Sequence, residues 1–238
     1  MVERLRLREI VHSADPAFRR AYAILRDTFP PSELVKAADF LRVLRERAAG
    51  VWTDFLWHMV VGERGRTLLG CATGSYLGSL NIGLVGYLAV RKGLRSGGLG
   101  PRLRERIREA FDVDARKLHG HGVDALVGEV EADNPWLGRL VRYYGAIPLD
   151  IPYYQPPVRP TEPEVPLVLY YQPLRRNRTK LHVTEVRRLL YAIWRRAYRI
   201  AAPLEHRRFR KMLAALDGRR WIGAMELPTP RTVGPVHE

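Results

Sequence analysis

The sequence predicts an α/β fold: a mixed, mostly antiparallel sheet with helices on both faces, followed by a helical C-terminal extension. Three observations predict it. Strand-like and helix-like apolar patterns follow one another in the order β-α-α-β-β-β-α-β-α-β-β. Three of the strand-like runs are consecutive, with short turns between them, and so read as an antiparallel meander. A glycine-rich segment then joins the last of these three to a long helical pattern.

Arg4 to Val11 reads as the first strand. Asp15 can cap a helix that has Pro16 at its first position, and Phe18, Ala21, Tyr22, Leu25 and Phe29 recur at helical spacing. Pro30-Pro31 ends that helix. Ser32 and Glu33 open a second one running to about Ala49, closed by Gly50. Strands are expected at Phe55–Val61, Thr67–Tyr76 and Ile82–Val90, the first two joined by a tight turn at Glu63–Arg66. A helix is expected from Leu99 to Phe111 or beyond, a strand over Ala125–Ala132, and a helix after Asn134 to Tyr144. Two late strands, near Ile147–Tyr153 and Val165–Gln172, flank a proline-rich loop.

Beyond residue 174 the pattern changes, and the chain divides into 1–174 and a basic helical extension, 175–238. Val186, Leu189, Leu190, Ile193, Ala197 and Ile200 form one apolar stripe, with Arg187, Arg188, Arg195, Arg196 and Arg199 largely off it. After Pro203, the residues Phe209, Met212, Leu213 and Leu216 form a narrower stripe. Both stripes are expected to dock on the sheet or on a second copy of the chain. The formal charge of +15 is concentrated here: from Leu174 onward there are 16 basic and 5 acidic residues. That surplus reads as the solvated face of docked helices, as a footprint for nucleic acid, or as a lipid-binding helix. No nucleic-acid-binding motif supports the second reading, and stripes committed to packing weaken the third.

No run of about 18 apolar residues predicts a membrane span. The N-terminal stretch lacks the apolar region of a signal peptide, so the expected location is cytoplasmic. The single Cys71 excludes an internal disulfide and multi-cysteine metal clusters, and reads as a small core residue. His58, His119 and His121 lack metal-ligand spacing, and no metal is expected.

The stretch from Val90 to Gly100 carries most of the functional information. It ends an apolar strand and opens a helix through several glycines, leaving backbone N–H groups uncovered beside the positive end of a helix dipole. Such a place can hold a pyrophosphate; an ordinary strand-to-helix turn has the same composition. A P-loop is excluded by the missing Gly-Lys-Ser/Thr, and a dinucleotide fingerprint by the preceding meander.

The spacing Val90, four residues, Arg95, two residues, Gly98, one residue, Gly100 resembles the acyl-CoA-binding motif of the GNAT superfamily of N-acetyltransferases. A second match is Asn134 followed eleven residues later by Gly145. The resemblance covers about residues 4–174 and implies the GNAT fold, with acetyl-CoA or another acyl-CoA as cosubstrate. It implies that Arg95, Ser96, Gly97, Gly98, Leu99 and Gly100 hold the pyrophosphate. Leu88, Ala89 and Val90 would pair with the pantetheine arm where the fourth and fifth strands part, and Asn134 would bond near the thiol. A primary amine would attack the thioester directly.

Glu129 and Glu131 alternate on the fifth strand and point to one face, so either can act as base through a water. Glu33 is a weaker candidate for recognising a cationic amine. The family's acid, a tyrosine seven residues after the asparagine, is absent: that position is Val141. Tyr143 and Tyr144 lie about 200° and 300° further around the helix, leaving Tyr144 as the nearer substitute and equally a structural tyrosine. The departure opens an alternative: a weak or inactive CoA-binding regulatory module whose basic tail binds nucleic acid or a partner protein. Acceptor, acyl length and possible homodimerisation are left open by the sequence.

Overall fold

The computed structural model describes residues 4–94, 97–159 and 161–227. Its main sheet has eight strands: β1 (Leu5–Glu9), β2 (Phe55–Arg64), β3 (Thr67–Leu77), β4 (Ile82–Val90), β5 (Ala125–Val130), β6 (Ile147–Pro148), β7 (Tyr153–Gln155) and β8 (Val165–Pro173). The order is β1-β2-β3-β4-β5-β8-β6, with β7 also pairing β8. Only β4 and β5 run parallel, joined through α3 (Leu99–His119); the other pairings are antiparallel.

Alternation along the strands distributes the core to two faces. On one face α3 covers Val60, Ala72, Tyr76, Val85 and Leu126. The strands are trimmed to receive it. A Cβ on Gly83 would lie 2.2 Å from the Phe111 ring, and one on Gly74 2.5 Å from it, so two interior strand glycines make room for one aromatic. The opposite face is shared. There α1 (Ala17–Arg26) and α2 (Ala37–Ala48) cover Trp57, Met59, Val61 and Ala89, while the C-terminal segment covers Leu84, Ala125, Val127, Leu169 and Tyr171.

That segment docks on the sheet of its own chain. Leu181–His182 (β9) pairs with Trp221–Ile222 (β10), and α5 (Val183–Ala192) starts on a capping box between His182 and Glu185. α6 (Arg207–Ala214) follows Pro203. Much of its arginine charge is paired: Arg187 with Asp217, Arg178 with Glu185, Arg196 with Asp54, Arg199 with Glu46 and Arg219 with Asp150.

Several boundaries differ from expectation for local reasons. α1 begins at Ala17, with the Asp15 carboxylate accepting from Ala17 N–H at 2.9 Å. The second helix starts at Ala37, not Ser32, because the Tyr87 hydroxyl takes the Val35 N–H and donates to the Glu33 carbonyl, holding that stretch as a turn. The expected strand at 147–153 is two short pieces, parted where Ile151 N–H bonds to Leu149 O. β5 stops at Val130 and β1 at Glu9.

One buried polar group ties three elements together. His58, 1 % exposed, lies with Nδ1 2.7 Å from Glu9 on β1 and Nε2 2.7 Å from Asp114 on α3. Burial pushes the Glu9 carboxyl up, but the His58 contact and the Arg47 guanidinium outweigh it and hold that carboxyl at about 2, against an ordinary 4.5. A lowered carboxylate adds stability that is complete above about pH 4.5 and is lost as pH falls toward 2. His58→Leu leaves the buried Asp114 with only its 3.6 Å contact to the exposed Lys117 and is expected to cost about 3 kcal/mol in urea unfolding. The acid-induced loss of stability between pH 4.5 and 2 should be shallower in that variant.

Candidate active site

The site begins with a bulge in β4. Ala72 pairs with Leu88 and Gly74 with Val85, so Thr73 alone faces Gly86 and Tyr87. The Tyr87 N–H turns to the Thr73 hydroxyl at 3.0 Å. On the other side, the parallel pairing with β5 ends at Val85–Gly128. Beyond that point β4 and β5 part, and residues 86–90 of β4 have no β5 residue paired with them.

A cavity of about 680 Å³ fills the opening. One end is walled by Leu88, Ala89, Val90, Gly100, Pro101 and Asn134. The other reaches Phe29, Glu33, Glu129, Tyr170 and Tyr198. The first end meets the start of α3. Gly93 and Gly98 have φ of +83° and +69°, left-handed values that explain why the connection is rich in glycine. Gly98 is the N-cap of α3; Gly97 is exposed, while Leu99 turns inward and is buried. Arg95 and Ser96 lie outside the described residues. Asn134 borders the cavity and caps α4 (Pro135–Tyr144), its side-chain oxygen accepting from Trp136 N–H at 3.0 Å. Gly145, at φ +63°, is the C-cap of the same helix. The eleven-residue spacing is thus the length of α4 between its two caps.

At the far end, Glu129 projects from β5 toward the face shared by α1, α2 and the C-terminal segment. The Tyr198 hydroxyl donates to one of its oxygens at 2.6 Å, and the Tyr153 hydroxyl to the other. Burial pushes the Glu129 carboxyl up; the two tyrosine hydrogen bonds oppose the rise, and the charge of Glu33 adds to it. The Glu33 carboxyl is likewise raised, by burial and by the nearby Glu131. Glu131 lies just past the end of β5, is exposed, and borders the same cavity. Glu33, Glu129 and Glu131 therefore border one cavity together with Asp39, and Arg42, Arg139 and Arg199 border it too.

Tyr144 is elsewhere. Its ring lies under the Arg104 guanidinium, 4.6 Å from centroid to Cζ, and beside Trp136, and it does not border the cavity. Val141 is half-buried on α4. Tyr198 and Tyr170, which do border the cavity, were not singled out as catalytic candidates by sequence reasoning. Tyr170 shares an apolar alternating run with structural strand residues, and nothing in that pattern separates it from them.

The sequence matches no protein-family model and no curated protein. Solved structures do match. A GNAT-family protein from Bacteroides thetaiotaomicron aligns with a TM-score of 0.57 at 20% identity, over 82% of this chain and 99% of that one. Ard1 from Thermoplasma volcanium aligns at 0.50 and 17% identity, over 72% and 99%. A ribosomal-protein-alanine N-acetyltransferase from Brucella melitensis aligns at 0.50 and 20% identity, over 71% and 99%. The chain has the GNAT fold, as the spacing from Val90 to Gly100 implied.

A glycine on β5 makes room for the Tyr170 ring, which borders the cavity. A Cβ on Gly128 would lie 2.5 Å from the Tyr170 hydroxyl and 2.7 Å from its ring. Gly128→Val is expected to displace Tyr170 and to cost about 2 kcal/mol in urea unfolding, with the loss absent or reversed when Tyr170→Ala is added.

Proposed function

We propose that the protein is an acyl-CoA-dependent N-acyltransferase that moves an acetyl group from acetyl-CoA to a primary amine in a ternary complex. The observation that carries this reading is the open edge of β4. A parted parallel pair, a cavity along the unpaired segment and a glycine-capped helix start at one end make a slot for an extended ligand with an anionic end.

The pantetheine amides would add as a strand against residues 86–90, and the pyrophosphate would lie on the backbone from Arg95 to Gly100 at the positive end of α3. The thioester would then lie between Asn134, at the first end, and Glu129, at the far one. The acceptor enters from the end bordered by Glu33 as an ammonium and gives a proton to Glu129, directly or through a water. Its nitrogen then attacks the thioester carbon, the C–S bond breaks, and the nitrogen's second proton passes, directly or through a water, to the departing CoA thiolate. A backbone N–H of β4 stabilises the oxyanion. A raised carboxyl at Glu129 brings the base nearer neutral pH, where proton transfer is more effective. Glu131, at the cavity edge, is the second candidate for this role.

Val141 gives specific support to a second reading, a CoA-binding module with weak or no turnover, because the thiolate then lacks a tyrosine acid on α4.

Isothermal titration with acetyl-CoA is expected to show one-to-one binding with a Kd on the order of 1 μM, corresponding to about −8 kcal/mol. Absence of binding by folded protein would sink the proposal. Gly100→Trp, which fills the cavity beside Leu88, should weaken binding at least about tenfold without changing the Tm.

Thiol release with spermidine, lysine, kanamycin and an alanine-terminated peptide as acceptors separates the two readings. The enzyme turns over at least one, and Glu129→Gln lowers its kcat by about a hundredfold or more with acetyl-CoA binding intact. Binding without turnover across a wide amine panel supports the module.

A further inference from the structure

The C-terminal segment reaches into the cavity, and the way it does so departs from its own helical pattern. α5 continues past Ala192 as a single wide turn, Ile193–Ala197, in which Tyr198 N–H bonds to Ile193 O at 3.1 Å and Ile200 N–H to Trp194 O at 3.0 Å. A wide turn carries an extra residue and swings the residues after it by about 100° from the regular stripe. Arg199 then adopts φ +58°, rare for a residue with a side chain. Two ion pairs hold the turn in place: Arg199 to Glu46 on α2, at 2.5 and 2.9 Å, and Arg196 to Asp54 before β2, at 2.8 Å. Ala197, Tyr198 and Arg199 consequently border the cavity.

We infer that Tyr198 is a positioning residue for the base, Glu129, and that the turn from 193 to 199 closes the acceptor end of the site. The inference rests on the acyl-transfer reading. A carboxylate only accepts hydrogen bonds, so the Tyr198 and Tyr153 hydroxyls both donate to Glu129 and fix the plane of its carboxylate. Two hydroxyls occupy part of its acceptor capacity and leave lone pairs for an incoming ammonium.

The groups acting on Glu129 come from several sides: Glu33 from the turn before α2, Tyr87 from β4, Tyr153 from β7, Tyr170 from β8 and Tyr198 from the C-terminal turn, while Asp39, Arg42, Glu131, Arg139 and Arg199 border the same cavity. Burial and the charge of Glu33 work against the ionised form that a base needs. Tyr198 works for it, from a part of the chain outside the resemblance that identifies the fold.

The test compares Tyr198→Phe, which keeps the ring, with the parent protein. Glu129 is followed by its carboxyl carbon signal in glutamate-labelled protein, identified by its loss in Glu129→Gln. Kinetics use acetyl-CoA and the panel amine turned over fastest. Loss of a hydrogen bond to the carboxylate raises its pKa, so the midpoint and the acidic limb of kcat/KM should both move to higher pH. At a pH on that limb kcat should fall about tenfold, with the KM for acetyl-CoA unchanged. In the Glu129→Gln background the same substitution should have little further effect.

An unmoved midpoint would overturn the inference. So would a moved midpoint with an unmoved limb, or full additivity in the double variant. If instead Glu129→Gln leaves the parental rate and profile intact, it is the assignment of the base that fails, and the positioning role falls with it.

Discussion

The structure depends on one irregularity in one strand. Where Thr73 faces both Gly86 and Tyr87, β4 bends, and its pairing with β5 ends at Val85. The consequences run in two directions. The backbone beyond Val85 is released from β5 and borders the cavity. The Tyr87 side chain, on the face toward α1 and α2, pins the turn that carries Glu33 and makes edge contacts with Phe29 and Phe40. A single bulge thus opens the slot and fixes one wall of its far end. The Thr73 hydroxyl satisfies the Tyr87 N–H displaced from the ladder, which keeps the irregularity from leaving a buried donor unpaired.

The electrostatics arise from that geometry. Glu33, Glu129 and Glu131 border one cavity; the charge of Glu33 makes ionisation of Glu129 harder, and that of Glu131 makes ionisation of Glu33 harder. Such an arrangement is costly in the absence of a cation and favourable once an ammonium enters. The rest of the molecule shows the opposite habit. Arg8 pairs with Asp15 and Glu63, Arg108 with Glu105 and Asp112, and Arg178 with Glu185. Glu33, Glu129 and Glu131 make no ion pair among the described residues, although Arg42, Arg139 and Arg199 border the same cavity, so an incoming ammonium would supply a contact these three lack.

What the sequence revealed depended on whether the signal was local. β4 was legible to the residue at both ends, because an apolar run ends where a glycine-rich turn begins. The Asn134–Gly145 spacing was legible through its resemblance to the family's pattern, and those two residues prove to be the caps of α4. The start of α2 was not, since the Tyr87 hydroxyl that holds Glu33 and Val35 off the helix comes from more than fifty residues away. Tyr144 was a reasonable substitute for the tyrosine missing at Val141, but the Arg104 guanidinium that it packs under projects from α3. Helical spacing gives an angle around one axis; it does not say what stands opposite.

Tyr198 shows the limit most clearly. On a regular helix it falls about 80° outside the apolar stripe, on the arginine-bearing side. The wide turn after Ala192 and the left-handed Arg199 change its direction, and neither is encoded in periodicity. A left-handed residue with a side chain costs about 1–2 kcal/mol and persists only where the surroundings hold it. Here Glu46 and Asp54 do so, from α2 and from the start of β2. These partners belong to the sheet-and-helix body, so the turn and the body fit each other on the acceptor side of the cavity. An extension that served only to cover apolar strands could end α5 in an ordinary cap. The strain is spent where the chain turns a phenol toward Glu129, which makes the C-terminal segment part of the site as well as part of the core.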